Sequence, residues 1–339
     1  MSKNYRYANQ SNAEKSRKFA RFALFTGLLV LSSALVSTCS ANALVLSKGG
    51  NGDTTSDNIL VPAGVKAGGA DSTSGDVLLE MDASATVIDT SSGDVFLADR
   101  AQADSVDTAS GNVTLGSNAR VLGRIDVASG DVTLGAGAAS GVIDTGSGRV
   151  AIGSGARCSD IDTGSGSVAL SEGATSGSID TGSGNVSLAA QAQSGGIDTG
   201  SGSVTLGSGA RVDGIIDTGS GSVKANGALI TRHIDTGSGD VLLNGTVVNA
   251  NILTRSGRVD LSGNTRIDGA VEVRSSECGG WFNVGCNENP RTTVVIGAGV
   301  TVRGPVIVRE NVTLYIHNSA RTGPVQGGTA IRFDAERPQ

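Results

Sequence analysis

The chain has 339 residues and a formal net charge of −6; 51 residues are Gly and only ten are aromatic, six Phe, three Tyr and one Trp. Five of the ten lie in the first 25 residues, which excludes an ordinary core of large rings, and five Pro without a Gly at every third position exclude collagen. Disorder is disfavoured as well, because only 17% of residues are charged and Val, Ile and Leu recur at fixed intervals.

At the amino terminus, Lys15, Arg17, Lys18 and Arg21 precede an apolar run over 22–36, followed by Ser40-Ala41-Asn42-Ala43, an A-x-A site of the kind a signal peptidase cuts. Residues 1–43 therefore read as a bacterial secretory signal. Two other readings stand beside it. Val36-Ser37-Thr38-Cys39 is a lipoprotein signal with Thr in place of the usual small residue. An uncleaved anchor is the other, its run short of the ~20 residues of a spanning helix. All three place the rest of the chain outside the cytoplasm, in the periplasm or envelope of a Gram-negative bacterium. Without residues 1–43 there are 20 basic and 31 acidic residues, a net of −11, which disfavours a nucleic-acid partner. A membrane is a partner only through the N-terminal segment, if that segment is not cleaved. Residues 44–70 carry no clear repeat and read as a cap or linker.

From residue 71 the chain is periodic. The hexamer Ile-Asp-Thr-Gly-Ser-Gly occurs six times, at Asp144, Asp162, Asp180, Asp198, Asp217 and Asp235, and looser copies place Asp71, Asp89, Asp107 and Asp126. A last copy, around Leu253, lacks the acid. The step is 18 residues, with one extra residue between Asp107 and Asp126 and between Asp198 and Asp217. Each repeat holds three i, i+2 pairs of small or apolar residues, such as Ile161 and Thr163, Val168 and Leu170, and Ala174 and Ser176. That spacing puts both members of a pair on one face of a strand.

Three short strands and three corners in 18 residues predict an all-β fold, a single-stranded parallel β-helix of triangular section. Inward residues then stack on their counterparts one coil away, ~4.8 Å apart. Gly is expected at the corners, supplying positive φ. Cys158 falls at an inward position and reads as a small buried hydrophobe.

The 18-residue repeats run over 71–274. Beyond 290 a six-residue spacing persists in Ile296, Val302, Val308 and Leu314 and in Val300, Val306 and Val312, so coils are expected over 291–333, with a tail at 334–339. Between the two lies an insertion, 275–290, holding Cys278, Trp281, Phe282 and Cys286. In an exported chain the two Cys most simply form a disulfide that staples a protruding loop, whose Trp281 and Phe282 would be its binding anchors. Zinc is disfavoured, because no other Cys or His is near in sequence.

The ten-Asp column is the main polar feature. Each carboxylate is expected to cap its own Thr-Gly-Ser corner by accepting backbone N–H groups. The rival reading is calcium bridging between coils, which would need a second regular acidic ligand; the residue after each Ser-Gly is Asp at 76, 94, 131 and 240 and otherwise Asn, Ser or Arg. Catalysis has little to work with. The only histidines are His233 and His317, neither with an acidic partner nearby in sequence, so neither a catalytic residue, a metal nor a cofactor is expected. The Thr column suggests a flat ice-binding face, but Thr pairs with the inward Ile and should point inside.

Val-Ile-Gly-Ala-Gly-Val-Thr-Val-Arg-Gly-Pro-Val at 295–306 and Gly-Ser-Gly-Ala-Arg-Val-Asp-Gly-Ile-Ile at 207–216 resemble the bactofilin-like, polymer-forming cytoskeletal proteins of bacteria. The repeated Ser-Gly-Asp-Val is similar to adhesin-like β-helix repeats of bacterial envelopes. The bactofilin resemblance implies a right-handed helix and head-to-tail filaments of a non-catalytic scaffold. That family works on the cytoplasmic side of the membrane, whereas this chain carries an export segment. The function expected is a non-enzymatic structural rod of the cell envelope that associates end to end with itself and with envelope components. The alternative is an adhesin-like module using the 278–286 loop.

Overall fold

A computed structural model describes residues 43–274, 292–309 and 311–338. The export segment and the 275–290 insertion, with Cys278, Trp281, Phe282 and Cys286, lie outside the described residues. Within them all regular structure is β-strand, and every strand pairing is parallel. The chain winds as the triangular β-helix its repeat predicts.

Three faces run along the helix. The valine face is a continuous sheet of 16 strands, from Ala43–Val45 to Ala330–Phe333. The aspartate face stacks Ile-Asp-Thr strands such as Ile161–Thr163 and Ile179–Thr181. The alanine face has two-residue strands such as Arg120–Val121, or single bridges such as Arg157 to Thr175. Register is strict: Val168, Ala169 and Leu170 lie beside Val186, Ser187 and Leu188, and Ile161, Asp162 and Thr163 beside Ile179, Asp180 and Thr181.

The core is the inside of this prism. Ile161, Val168, Leu170 and Ala174 are buried in one coil, and Ile179, Val186, Leu188 and Ala192 in the next. Burying each large aliphatic side chain is worth about 1.5–3 kcal/mol and is the main favourable term for a fold with so few rings. The Thr of each Ile-Asp-Thr is also buried, as expected, so the hydroxyl column is internal. Cys158 is partly buried against the same core.

The two extra residues are absorbed at the corner entering the aspartate face. Arg120 is followed by Ile125 and Arg211 by Ile216, five residues on, where Gln102 is followed by Val106 only four on. The 275–290 insertion falls at a different corner. Val259 pairs with Val294 and Val271 with Val306, so the stack continues in register across it. The strands on either side of it are Val271–Val273 on the aspartate face and Thr293–Ile296 on the valine face, so it falls at the corner between them.

Two expectations change. The segment 44–70 adds coil: Ala43–Val45 pairs with Asn58–Val61, and Gly52–Thr54 with Ala70–Ser72. Its leucines also fill the core over Gly52, where a Cβ would lie 2.9 Å from Leu46 Cδ2 and 3.2 Å from Leu44 Cδ2. The most regular glycine does not serve positive φ either. A Cβ on Gly166 would sit 1.7 Å from the carbonyl oxygen of Gly148, and one on Gly184 1.8 Å from that of Gly166. Here Gly is required by coil-to-coil approach. Positive φ belongs to another corner, between the valine and alanine faces, where Gly155 and Gly173 alternate with Asp82, Arg100, Asn118 and Gln191.

Candidate functional site

The aspartate ladder is an ordered array of carboxylates along one face of the helix. Asp71, Asp89, Asp107, Asp126, Asp144, Asp162, Asp180, Asp198, Asp217 and Asp235 follow one another in register. Asp53, hidden in sequence because Gly52 replaces the usual Ile before it, extends the column by one. Leu253, Glu272 and Ile307 continue it beyond Asp235 without a carboxylate at every step.

The structure corrects the role expected of these acids. The corner N–H groups are already used: Gly164 N–H donates to Thr145 O and Ser165 N–H to Gly146 O, each at 3.2 Å, one coil back. The cap comes from inside. Thr90 Oγ1 accepts the Gly93 N–H at 2.9 Å, Thr163 Oγ1 that of Gly166 at 2.8 Å, and Thr181 Oγ1 that of Gly184 at 2.9 Å. From Thr199 to Thr236 the hydroxyl donates to the glycine carbonyl, at 2.7 Å for Gly202, 2.6 Å for Gly221 and 3.2 Å for Gly239. The aspartates, one residue earlier on an alternating strand, face outward.

Their electrostatics follow. Partial burial, then the neighbours Asp144 and Asp180, push the Asp162 carboxyl above its ordinary value, opposed by Arg124. Burial and Asp217 raise Asp198; burial and Asp235 raise Asp217, opposed by His233 and Arg255. Among the described residues Arg124 bridges the ladder, at 3.0 Å from Asp126 and 2.5 Å from Asp144. Among the described residues no group of three or more His, Cys, Asp and Glu is placed to hold a metal ion.

A second ladder was missed in sequence. Where the residue after Ser-Gly is an acceptor and not Arg149 or Arg258, it can take the backbone N–H of its counterpart one coil on: Asp94 N–H donates to Asp76 Oδ1 at 3.0 Å, Asn112 N–H to Asp94 Oδ1 at 2.8 Å, Arg149 N–H to Asp131 Oδ1 at 2.8 Å and Ser222 N–H to Ser203 Oγ at 3.2 Å. Asp, Asn and Ser all accept, which accounts for a column that looked irregular when read only for calcium ligands.

The remaining groups are structural in placement. Burial pushes the Cys158 thiol up to about 12, with Asp160 adding to it. His317 Nδ1 lies 2.8 Å from Ser319 Oγ and Nε2 lies 3.2 Å from the Asp334 carbonyl, while its ring packs edge-on to Phe333 at 5.1 Å. These contacts tie the last strand to the coil before it. His233 sits at a corner near Asp217. No family model, no curated protein and no solved structure matches the chain.

Proposed function

We propose that the protein is a non-enzymatic structural rod of the Gram-negative cell envelope, exported by its N-terminal segment and associating with other copies through its ends. The observation that carries this reading is the continuous 16-stranded valine face over a filled core. Among the described residues the interior of the stack is filled by side chains, and a parallel β-helix has unpaired strand edges only at its two ends. The bactofilin-like repeat pattern supports the same reading. Fifteen coil-to-coil steps of ~4.8 Å give a rod about 70 Å long. Negative-stain images and scattering of the purified protein should show rods of that length joined end to end. A strict monomer at high concentration would count against the association. Fractionation, with mass-spectrometric mapping of the mature amino terminus, separates the cleaved, lipidated and anchored forms.

One observation favours a second reading. The 275–290 insertion leaves the stack in register on both sides, so the rod acts as a rigid mount for whatever the loop presents. An adhesin-like module would use Trp281 and Phe282, stapled by Cys278 and Cys286. Deleting the loop should then abolish partner binding with the melting temperature unchanged.

A further inference from the structure

The two ends of the β-helix differ in what they offer another copy. At the first coil the inward columns of the valine face end in Leu44 and Leu46, beside Ile59 and Val61, with Leu44 37% exposed. That end of the core is apolar. At the last coil the columns shrink. Val300, Val302, Val306, Val308, Leu314 and Ile316 are all buried in the penultimate coil. In the last coil Val302 is followed by Thr322, Leu314 by Ala330 and Ile316 by Arg332, while Val306 is followed by Val325.

Arg332 is the decisive substitution. It occupies the register position of a buried column of Leu and Ile that ends in Leu261, Ile296 and Ile316, and is itself exposed. Its aliphatic stem can cover Ile316 while the guanidinium stays in water. A further coil stacked on this end would have to bury that charge among apolar side chains without a partner, and an inward-pointing charge on an edge strand is a known means of refusing strand addition. The strand that carries it is held instead from outside the core: Phe333 packs edge-on against Tyr315 and His317, and Asn318 Nδ2 donates to Asp334 Oδ1 at 2.5 Å. Apolar side chains remain at this end, with Val325 in the Val306 column and Ile331 50% exposed on the outer side of the last strand, so Arg332 is the charge that stands among them.

We propose that Arg332 closes the C-terminal end of the rod to a second copy, so that association through coil ends uses the first coil alone and stops at pairs. This rests on the reading that the rods associate by their ends, and it limits that association to two.

The test is the full chain carrying Arg332→Leu, with Arg332→Leu/Thr322→Val as a second variant that restores two apolar columns. Particle length is read by negative stain and mass by light scattering. The wild type should show nothing longer than two rods, about 140 Å at ~4.8 Å per coil. Either variant should form chains of three rods or more, at least doubling the mean length, and Arg332→Lys should behave as the wild type. Wild-type chains of three or more rods, or variants no longer than the wild type with unchanged melting, would overturn the proposal. A monomeric wild type with variants that pair would uphold the role of Arg332 and overturn pairing through the first coil.

Discussion

The hydroxyl of Thr90 accepts the backbone N–H of Gly93 at 2.9 Å from inside the core, and this contact recurs along the prism at Thr108, Thr145, Thr163 and Thr181. A buried N–H without a partner costs about 1–3 kcal/mol. Thr163→Val, which keeps the shape and removes the oxygen, should therefore destabilise by about 1–3 kcal/mol, and Thr163→Ser by less. The natural sequence contains the reverse case. Val127 stands in this column in register with Thr108 and Thr145. Val127→Thr should stabilise by about 1 kcal/mol. Chemical denaturation of the three variants checks both signs, and a neutral Thr163→Val would remove the cap from the account.

The two glycine classes should respond oppositely to substitution. At Gly166 a methyl would meet the Gly148 carbonyl at 1.7 Å, a backbone atom that cannot step aside. Gly166→Ala should cost about 3 kcal/mol or more. Gly173 has φ of +67°, but nothing lies within 4 Å of its Cβ position, and Asn118 holds the same corner at φ 57° in an earlier coil. Gly173→Asn should stay within about 1 kcal/mol of the parent, since Asn adopts that conformation readily. Equal losses at the two sites would show that the close approach is not what demands Gly.

Most of the fold was legible because an 18-residue period leaves one arrangement for three i, i+2 pairs. The inward Ile, Val, Leu, Ala and Thr all sit where the alternation puts them. What the sequence did not disclose was which atom serves which neighbour. Asp and Thr are adjacent in every hexamer, and both can cap a corner; only the facing of the strand decides that Thr turns inward. Asp53 escaped because its neighbours lack the hexamer, though its register is that of Asp71. The column of Asp76, Asp94, Asn112 and Asp131 looked mixed by charge and is uniform by hydrogen-bond acceptance.

Cys158 should be unreactive in the folded rod. Its thiol is pushed up to about 12 by burial, so almost none is thiolate at neutral pH. Peptide mapping after alkylation should find Cys158 unmodified until denaturant unfolds the helix. Cys158→Ser should be tolerated within about 1 kcal/mol, because Ser140 and Ser176 hold the inward positions on either side. Rapid labelling under native conditions would mean that this face opens.

The aspartate ladder makes the rod's stability depend on pH in a definite direction. Asp162, Asp198 and Asp217 are raised by partial burial and then by neighbouring carboxylates, so protonation favours the folded state. The stability they allow is fully present below the ordinary carboxylate range and is lost as pH rises through their raised folded values. Adjacent carboxylates ~4.8 Å apart repel by about 0.9 kcal/mol in water, and salt screens part of this for groups so exposed. Asp162→Asn/Asp198→Asn/Asp217→Asn should therefore melt about 2–4 °C above the wild type at pH 7, with the gap closing toward pH 4 and narrowing in high salt. Arg124→Ala should act in reverse, lowering the melting temperature at pH 7 by exposing Asp126 and Asp144 to each other. Asp82, paired with Arg100 and lowered by that contact, shifts the opposite way, so the difference between variant and wild type is the quantity to follow. A triple variant no more stable at pH 7, or one whose advantage persists unchanged at pH 4, would show that the ladder carries no net repulsion.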